Sequence, residues 1–90
     1  MNDVRTITTD KGKTYEVGYA WAPLMDGSCF IAMQDARMLS EIAAEFEGLE
    51  SIHYVDTDTG EYDFTGYTVL TGISRDGQGV KIKLAKGAAQ

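Results

Sequence analysis

The sequence predicts an α+β fold: an antiparallel sheet or partly open barrel of about six strands with one helix, in the order β-β-β-α-β-β-β. Three observations predict it. Short β-branched and aromatic runs alternate with glycine-containing turns. One segment carries apolar residues on a 3.6-residue period. The 90 residues leave room for one domain, spanning 1–90.

Val4 to Thr9 is β-branched and polar, which suits a half-buried strand. Asp10-Lys11-Gly12 reads as a turn. From Tyr15 the pattern alternates, with Tyr15, Val17, Tyr19 and Trp21 on one face and Glu16, Gly18, Ala20 and Ala22 on the other. Together these form a first hairpin. Pro23 ends it, since proline gives no ladder donor. Leu24 to Gly27 is a loop, and Ser28 to Met33 is apolar on both faces, as a central strand would be.

Asp35 is placed to cap a helix. Leu39, Ile42, Ala43 and Phe46 then form one stripe at i, i+3, i+4 and i+7. Gly48 is placed to close the helix in the left-handed conformation. Acidic residues in its last turn oppose the helix dipole. Ser51 to Val55 is the next strand, and Asp58-Thr59-Gly60 the next turn. Tyr62 and Phe64 begin a strand that Tyr67, Val69 and Ile73 continue past Gly66, where the phase change predicts a bulge or bend. After an Asp76-Gly77 turn, Val80, Ile82 and Leu84 alternate with Lys81 and Lys83, a pattern that guards exposed edges. Lys86 to Gln90 reads as a frayed tail.

A shift of 48 places Thr9, Asp10, Gly12, Gly18 and Tyr19 on Thr57, Asp58, Gly60, Gly66 and Tyr67, and Val4 and Ile7 on Ile52 and Val55. Two readings stand: a duplication with pseudo-two-fold symmetry, or convergence, because hairpin turns demand the same residues.

The net charge is −6. No Lys or Arg occurs between Met38 and Ser74, where Glu41, Glu45, Glu47, Glu50, Asp56, Asp58, Glu61 and Asp63 lie. The sign reverses from Arg75 onward. Such a surface repels phosphates, so neither nucleic acid nor an anionic membrane is expected as partner. The split allows head-to-tail self-association, or simply two solvated faces. One cysteine, Cys29, precludes an intrachain disulfide. Neither a signal-peptide core nor an apolar run of membrane-spanning length appears, so a cytoplasmic site is expected.

Little carries chemistry. Cys29 and His53 are the sole thiol and imidazole. Cys29 lies in the most apolar stretch, as an inert core thiol does, and His53 is out of phase with Ile52 and Tyr54, hence facing solvent. Their spacing matches no zinc site. Asp56, Asp58, Gly60, Glu61 and Asp63 resemble a calcium loop superficially, but glycine is fifth rather than sixth and Tyr67 stands at the twelfth position. An acidic hairpin tip is the plain reading, with weak cation binding the alternative. No phosphate-binding or nucleophile-elbow motif occurs. We therefore expect no enzyme, no catalytic residues, no cofactor and no resident metal.

The richest set is aromatic: Tyr15, Tyr19, Trp21, Tyr62 and Tyr67. Tyr and Trp are enriched in interface cores, and aromatic strand faces also bind glycans or single strands; a thin core equally uses whatever aromatics it has. With Lys81 and Lys83 these residues form the candidate interaction surface.

Thr14-Tyr15-Glu16-Val17, Trp21-Ala22-Pro23, Leu39-Ser40-Glu41-Ile42-Ala43, Gly66-Tyr67-Thr68-Val69-Leu70, Ile73-Ser74-Arg75 and Val80 to Leu84 together cover most of the chain. On these segments the chain resembles small uncharacterised proteins encoded in prophages of Gram-positive bacteria. The resemblance implies a role in a phage particle or its assembly, at the tail for instance, and carries over no functional residues. The expected function is a non-enzymatic structural or interaction protein that assembles with itself or with a protein partner. Two alternatives stand beside it: a peptide- or glycan-binding module using the aromatic face, and an acidic inhibitor of a basic partner.

Overall fold

The computed structural model describes residues 4–87. Its elements are β1 (Arg5–Thr9), β2 (Thr14–Glu16), β3 (Tyr19–Trp21), β4 (Cys29–Met33), α1 (Leu39–Phe46), β5 (Ser51–Asp56), β6 (Gly60–Thr65), β7 (Val69–Asp76) and β8 (Gly79–Ala85). All strand pairs are antiparallel, in two four-stranded sheets ordered β2-β1-β5-β6 and β3-β4-β8-β7. The α+β class with one helix stands, but the sheets do not close into a barrel.

Eight strands appear where six were expected, because two strands change sheets midway. The Val17 N–H donates to Arg5 O in the first sheet, and the next residue, Gly18, donates to Ala32 O in the second, both at 2.8 Å. The stretch from Tyr15 to Trp21 is therefore β2 plus β3, with a corner between them. The corner also reverses the facing: Val17 and Ala20 are buried, while Tyr19 and Trp21 are exposed. The single face predicted for Tyr15, Val17, Tyr19 and Trp21 fails here, since a corner resets the two-residue period. Gly66 marks a second corner, from β6 to β7, as the expected bend. The ladder irregularity itself falls later, between Leu70 and Gly72.

The strand order maps onto itself when β1–β4 exchange with β5–β8. Residues on the symmetry-related strands also correspond. Tyr15, Ile7, Tyr54 and Tyr62 form one row across the first sheet. Ala20, Ile31, Ile82 and Ile73 form a row across the second. The 48-residue shift is not the correspondence in these strands. It superposes inward Ile7 on Val55 and exposed Val4 on inward Ile52, because an even shift is out of phase with the burial of β1 against β5. The architecture is pseudo-two-fold all the same.

Between the sheets Ile7, Ile31, Ile82, Leu84 and Cys29 are fully buried. Lys81 and Lys83 lie on the outer face of β8, but β8 is a central strand between β4 and β7, not an edge. Instead of guarding an edge, the lysines pair with Asp76 (2.6 Å) and Asp26 (2.7 Å).

Helix α1 buries Ile42 and Phe46 fully, as the stripe requires. Met38, not Asp35, is its N-cap, and no side chain caps it. The Asp35 carboxylate is committed to Arg37, accepting from its backbone N–H (2.9 Å) and its guanidinium (2.7 Å). Gly48 follows the helix at φ +74°, the left-handed conformation predicted for it. The helix lies across the gap between β2 and β7. Phe46 packs on Tyr15 with ring centroids 5.2 Å apart. Gly48 donates to Thr68 O (3.1 Å), and Arg75 donates to Asp35 O and Arg37 O.

The acidic end of the helix is compensated from other elements. Glu45 accepts from the Tyr15 hydroxyl and pairs with Arg37 (2.7 Å) and Lys13 (3.6 Å). Lys11 donates to the terminal carbonyl of Glu47 (3.1 Å), supplying the positive charge that the last turn lacks. Arg37 holds the Glu45 carboxyl down at about 2, and burial beside that carboxylate pushes Tyr15 up to about 12. In the C-terminal segment, Lys86 lies over the Tyr67 ring (5.5 Å) and Gly87 donates to Gly66 O (3.0 Å). Residues 88–90 of the predicted tail lie outside the described residues.

Candidate functional site

The pseudo-two-fold relates the β2–β7 gap to a second gap, between β6 and β3. No helix of the described residues covers it. Tyr62 of β6 and Tyr19, Ala20 and Trp21 of β3 form its sides, with Arg5, Tyr54, Asp56 and Thr59 beneath, enclosing a groove of about 210 Å³. Tyr19, Trp21 and Tyr62 are 47%, 45% and 38% exposed, well above core values. Three large aromatic side chains thus stand partly wet around one concavity, each with a polar tip.

The floor is a fixed ion pair. Asp56 ends β5 on the inward phase and is buried. One carboxylate oxygen accepts from Arg5 Nε (2.9 Å) and the Tyr54 hydroxyl (3.2 Å). The other accepts from the backbone N–H groups of Asp58 (2.8 Å) and Thr59 (3.3 Å), which builds the β5–β6 turn. The Asp58 N–H, followed by Arg5 and then the Thr59 N–H, holds the Asp56 carboxyl down at about 2. It is an ionised acceptor, not a proton donor, near neutral pH. The Tyr62 hydroxyl donates to Thr59 O (3.0 Å), which orients its ring.

The predicted interaction residues divide into three groups. Tyr19, Trp21 and Tyr62 meet at the groove. Tyr15 lies under α1, and Tyr67 is buried, so both are core rather than surface. Lys81 and Lys83 stand on the outer face of the second sheet, where Phe30 pairs with both Trp21 and Lys83 in the ladder. Arg5, not singled out by the sequence reading, and Asp56, read there only as part of an acidic hairpin tip, complete the floor. Their signal was an inward-phase carboxylate at the end of β5, readable only once β5 is known to pair with β1. A wider hollow of about 600 Å³ lies over Asp26, Ser28, Lys83 and Lys86, but it holds no aromatic side chain, and its Lys83 is committed to Asp26.

Cys29 and His53 are not brought together. Cys29 faces the interior of the second sheet, where burial pushes its thiol up to about 12. His53 stands on the outer face of the first, half-exposed as expected, against Asp63 (2.7 Å) and Glu61 (3.8 Å). The calcium-loop candidate residues diverge: Asp56 turns inward, and Glu61 and Asp63 turn outward toward His53. Among the described residues, no three His, Cys, Asp or Glu side chains group as a metal site requires. No described helix is long and apolar enough to cross a membrane. The chain matches no protein-family model, no curated protein and no solved structure.

Proposed function

We propose that this chain is a non-enzymatic protein-interaction module that contacts a protein partner through the β3–β6 groove. The observation that carries this reading is the meeting of Tyr19, Trp21 and Tyr62 around one concavity. Tyr and Trp in a partly desolvated pocket are the side chains that dominate protein interfaces. The groove is also small. Small-molecule sites run from about 300 to 1,000 Å³, whereas 210 Å³ admits one anchoring side chain. The polar floor is neutralised internally, which favours recognition over acid–base work. The resemblance to prophage-encoded proteins adds a setting, a phage particle or its assembly.

The test is affinity capture from cells that express the protein natively. The wild type is compared with a Tyr19→Ser, Trp21→Ser, Tyr62→Ser variant whose fold is verified by circular dichroism. A protein held by the wild type and lost by the variant supports the reading; equal retention, or no retained protein, refutes it.

A further inference from the structure

We infer that the partner docks on the free edge of β6, as an extended segment that adds a strand to the first sheet and alternates basic with apolar side chains. The inference rests on the interaction reading above and names the class of partner segment.

Four strands end the two sheets: β2 and β6 in the first, β3 and β7 in the second. Three of these edges are short, covered or irregular. β2 and β3 have three residues each, and Phe46 of α1 lies on Tyr15 of β2. β7 packs against α1 and carries the irregularity between Leu70 and Gly72. β6 is different, although the pseudo-two-fold relates it to β2. Its six residues, Gly60–Thr65, pair with β5 in one unbroken register. Gly60 to Asp63 are exposed. Among the described residues, no helix covers this edge, and the β6 backbone has no backbone hydrogen-bond partner outside the β5 ladder. The strand has no Lys, no Pro and no bulge, which are devices that keep an edge from pairing. Such an edge offers its alternate N–H and C=O groups to a further strand.

The alternation of β6 states what that strand carries. Glu61 and Asp63 point to the outer face of the first sheet, and Tyr62 points to the groove. Side chains of an added strand fall beside them in the same alternation. The basic side chain facing Glu61 and Asp63 is His53 of β5, 3.8 Å and 2.7 Å away. One imidazolium cannot neutralise two carboxylates, and Glu16 of β2 lies in the same cross-strand row as Glu61. Lys or Arg beside Glu61 and Asp63 is therefore complementary. The position between them, beside Tyr62, opens on the 210 Å³ groove and takes one apolar side chain. A second copy fits poorly. Pairing β6 with β6 about a two-fold axis at Tyr62 sets Glu61 opposite Asp63, and like charges directly opposite are destabilising.

The test uses four capped peptides. The first is Thr-Val-Lys-Leu-Lys-Val-Thr. Two more are N-methylated at alternate residues, one on each edge of the strand. The fourth has Glu in place of both lysines. Each is titrated into the full chain while backbone amide spectra, amide exchange and Trp21 fluorescence are recorded. The inference expects saturable shifts and slowed exchange from Gly60 to Phe64 with the first peptide. One methylated peptide should bind at least about tenfold more weakly, through its blocked backbone hydrogen bonds, while the other binds as the parent does. The Glu peptide should also be at least about tenfold weaker, and salt should weaken the Lys peptide. Glu61→Lys with Asp63→Lys should reverse the preference between the Lys and Glu peptides. Absence of shifts on β6 at millimolar peptide overturns the inference, as do equal effects of the two methylation patterns. Concentration-dependent shifts on β6 without peptide assign the edge to a second copy and overturn it too. None of these outcomes touches the interaction reading, which falls on the capture experiment instead.

Discussion

Replacing Phe46 with alanine removes the side chain that seats α1 on β2. Phe46 is fully buried, and its ring lies 5.2 Å from that of Tyr15. Truncating a buried phenylalanine costs about 3–5 kcal/mol, the transfer loss plus the cavity left behind. The aromatic pair adds about 0.5–1.5 kcal/mol of coupling within that loss. A domain of this length has a total stability of roughly 4–13 kcal/mol. The variant should therefore lose roughly a quarter or more of it and melt about 12–40 °C lower, at about 4–8 °C per kcal/mol. Urea unfolding followed by circular dichroism measures this as a lower midpoint at unchanged slope. Phe46→Leu should lose less than about 2 kcal/mol. A Phe46→Ala loss under about 1 kcal/mol refutes the seating of α1 on β2, and with it the symmetry argument built on that seat.

Three further outcomes follow from individual side chains and turns. The carboxyls of Glu45 and Asp56 are each held down at about 2, so the folded state binds fewer protons than the unfolded one between about 4.5 and 2. Their stabilisation is present above the unfolded pKa values and is lost as pH falls through that window; urea midpoints across pH 2–6 should show a slope that Glu45→Gln with Asp56→Asn reduces. Asp26, Asp35 and Asp76 shift in the same direction, so some slope should remain. The Cys29 thiol, fully buried and pushed up to about 12, should react with a disulfide reagent slower than the unfolded chain by a factor on the order of 10³ or more; fast labelling of the native protein contradicts its place in the core. Gly79→Ala should cost more than Gly48→Ala. A Cβ at Gly79 meets Met33 O at 2.7 Å at φ +125°, whereas Gly48 at φ +74° has open space and loses only about 1–2 kcal/mol of backbone preference. Thermal melts of the two variants in that order are the check.

Part of the groove was legible in the residues themselves. Tyr19, Trp21 and Tyr62 stand out in the sequence because Tyr and Trp are enriched in interface cores. Tyr15 and Tyr67 carried the same signal and proved to be core, because burial depends on which element covers a position. Periodicity cannot report that. The facing of Tyr19 and Trp21 was misread because an unbroken alternation from Tyr15 to Trp21 is also what two strands joined at a corner produce. The lysine alternation in β8 was misassigned to an edge for a related reason. It records an outer face, and a central strand of a one-side-solvated sheet has such a face too.

Local chemistry decided the local elements. Alternation fixed the inward residues of β5 and β8, the stripe from Leu39 to Phe46 fixed the buried face of α1, and Gly48 fixed the end of that helix. Each depends on residues a few positions apart. The partition into two sheets, the pairing of β1 with β5 and β4 with β8, and the gap left between β3 and β6 were decided by tertiary structure. These depend on which apolar faces can bury one another across forty or more residues, a choice made by packing and not by propensity.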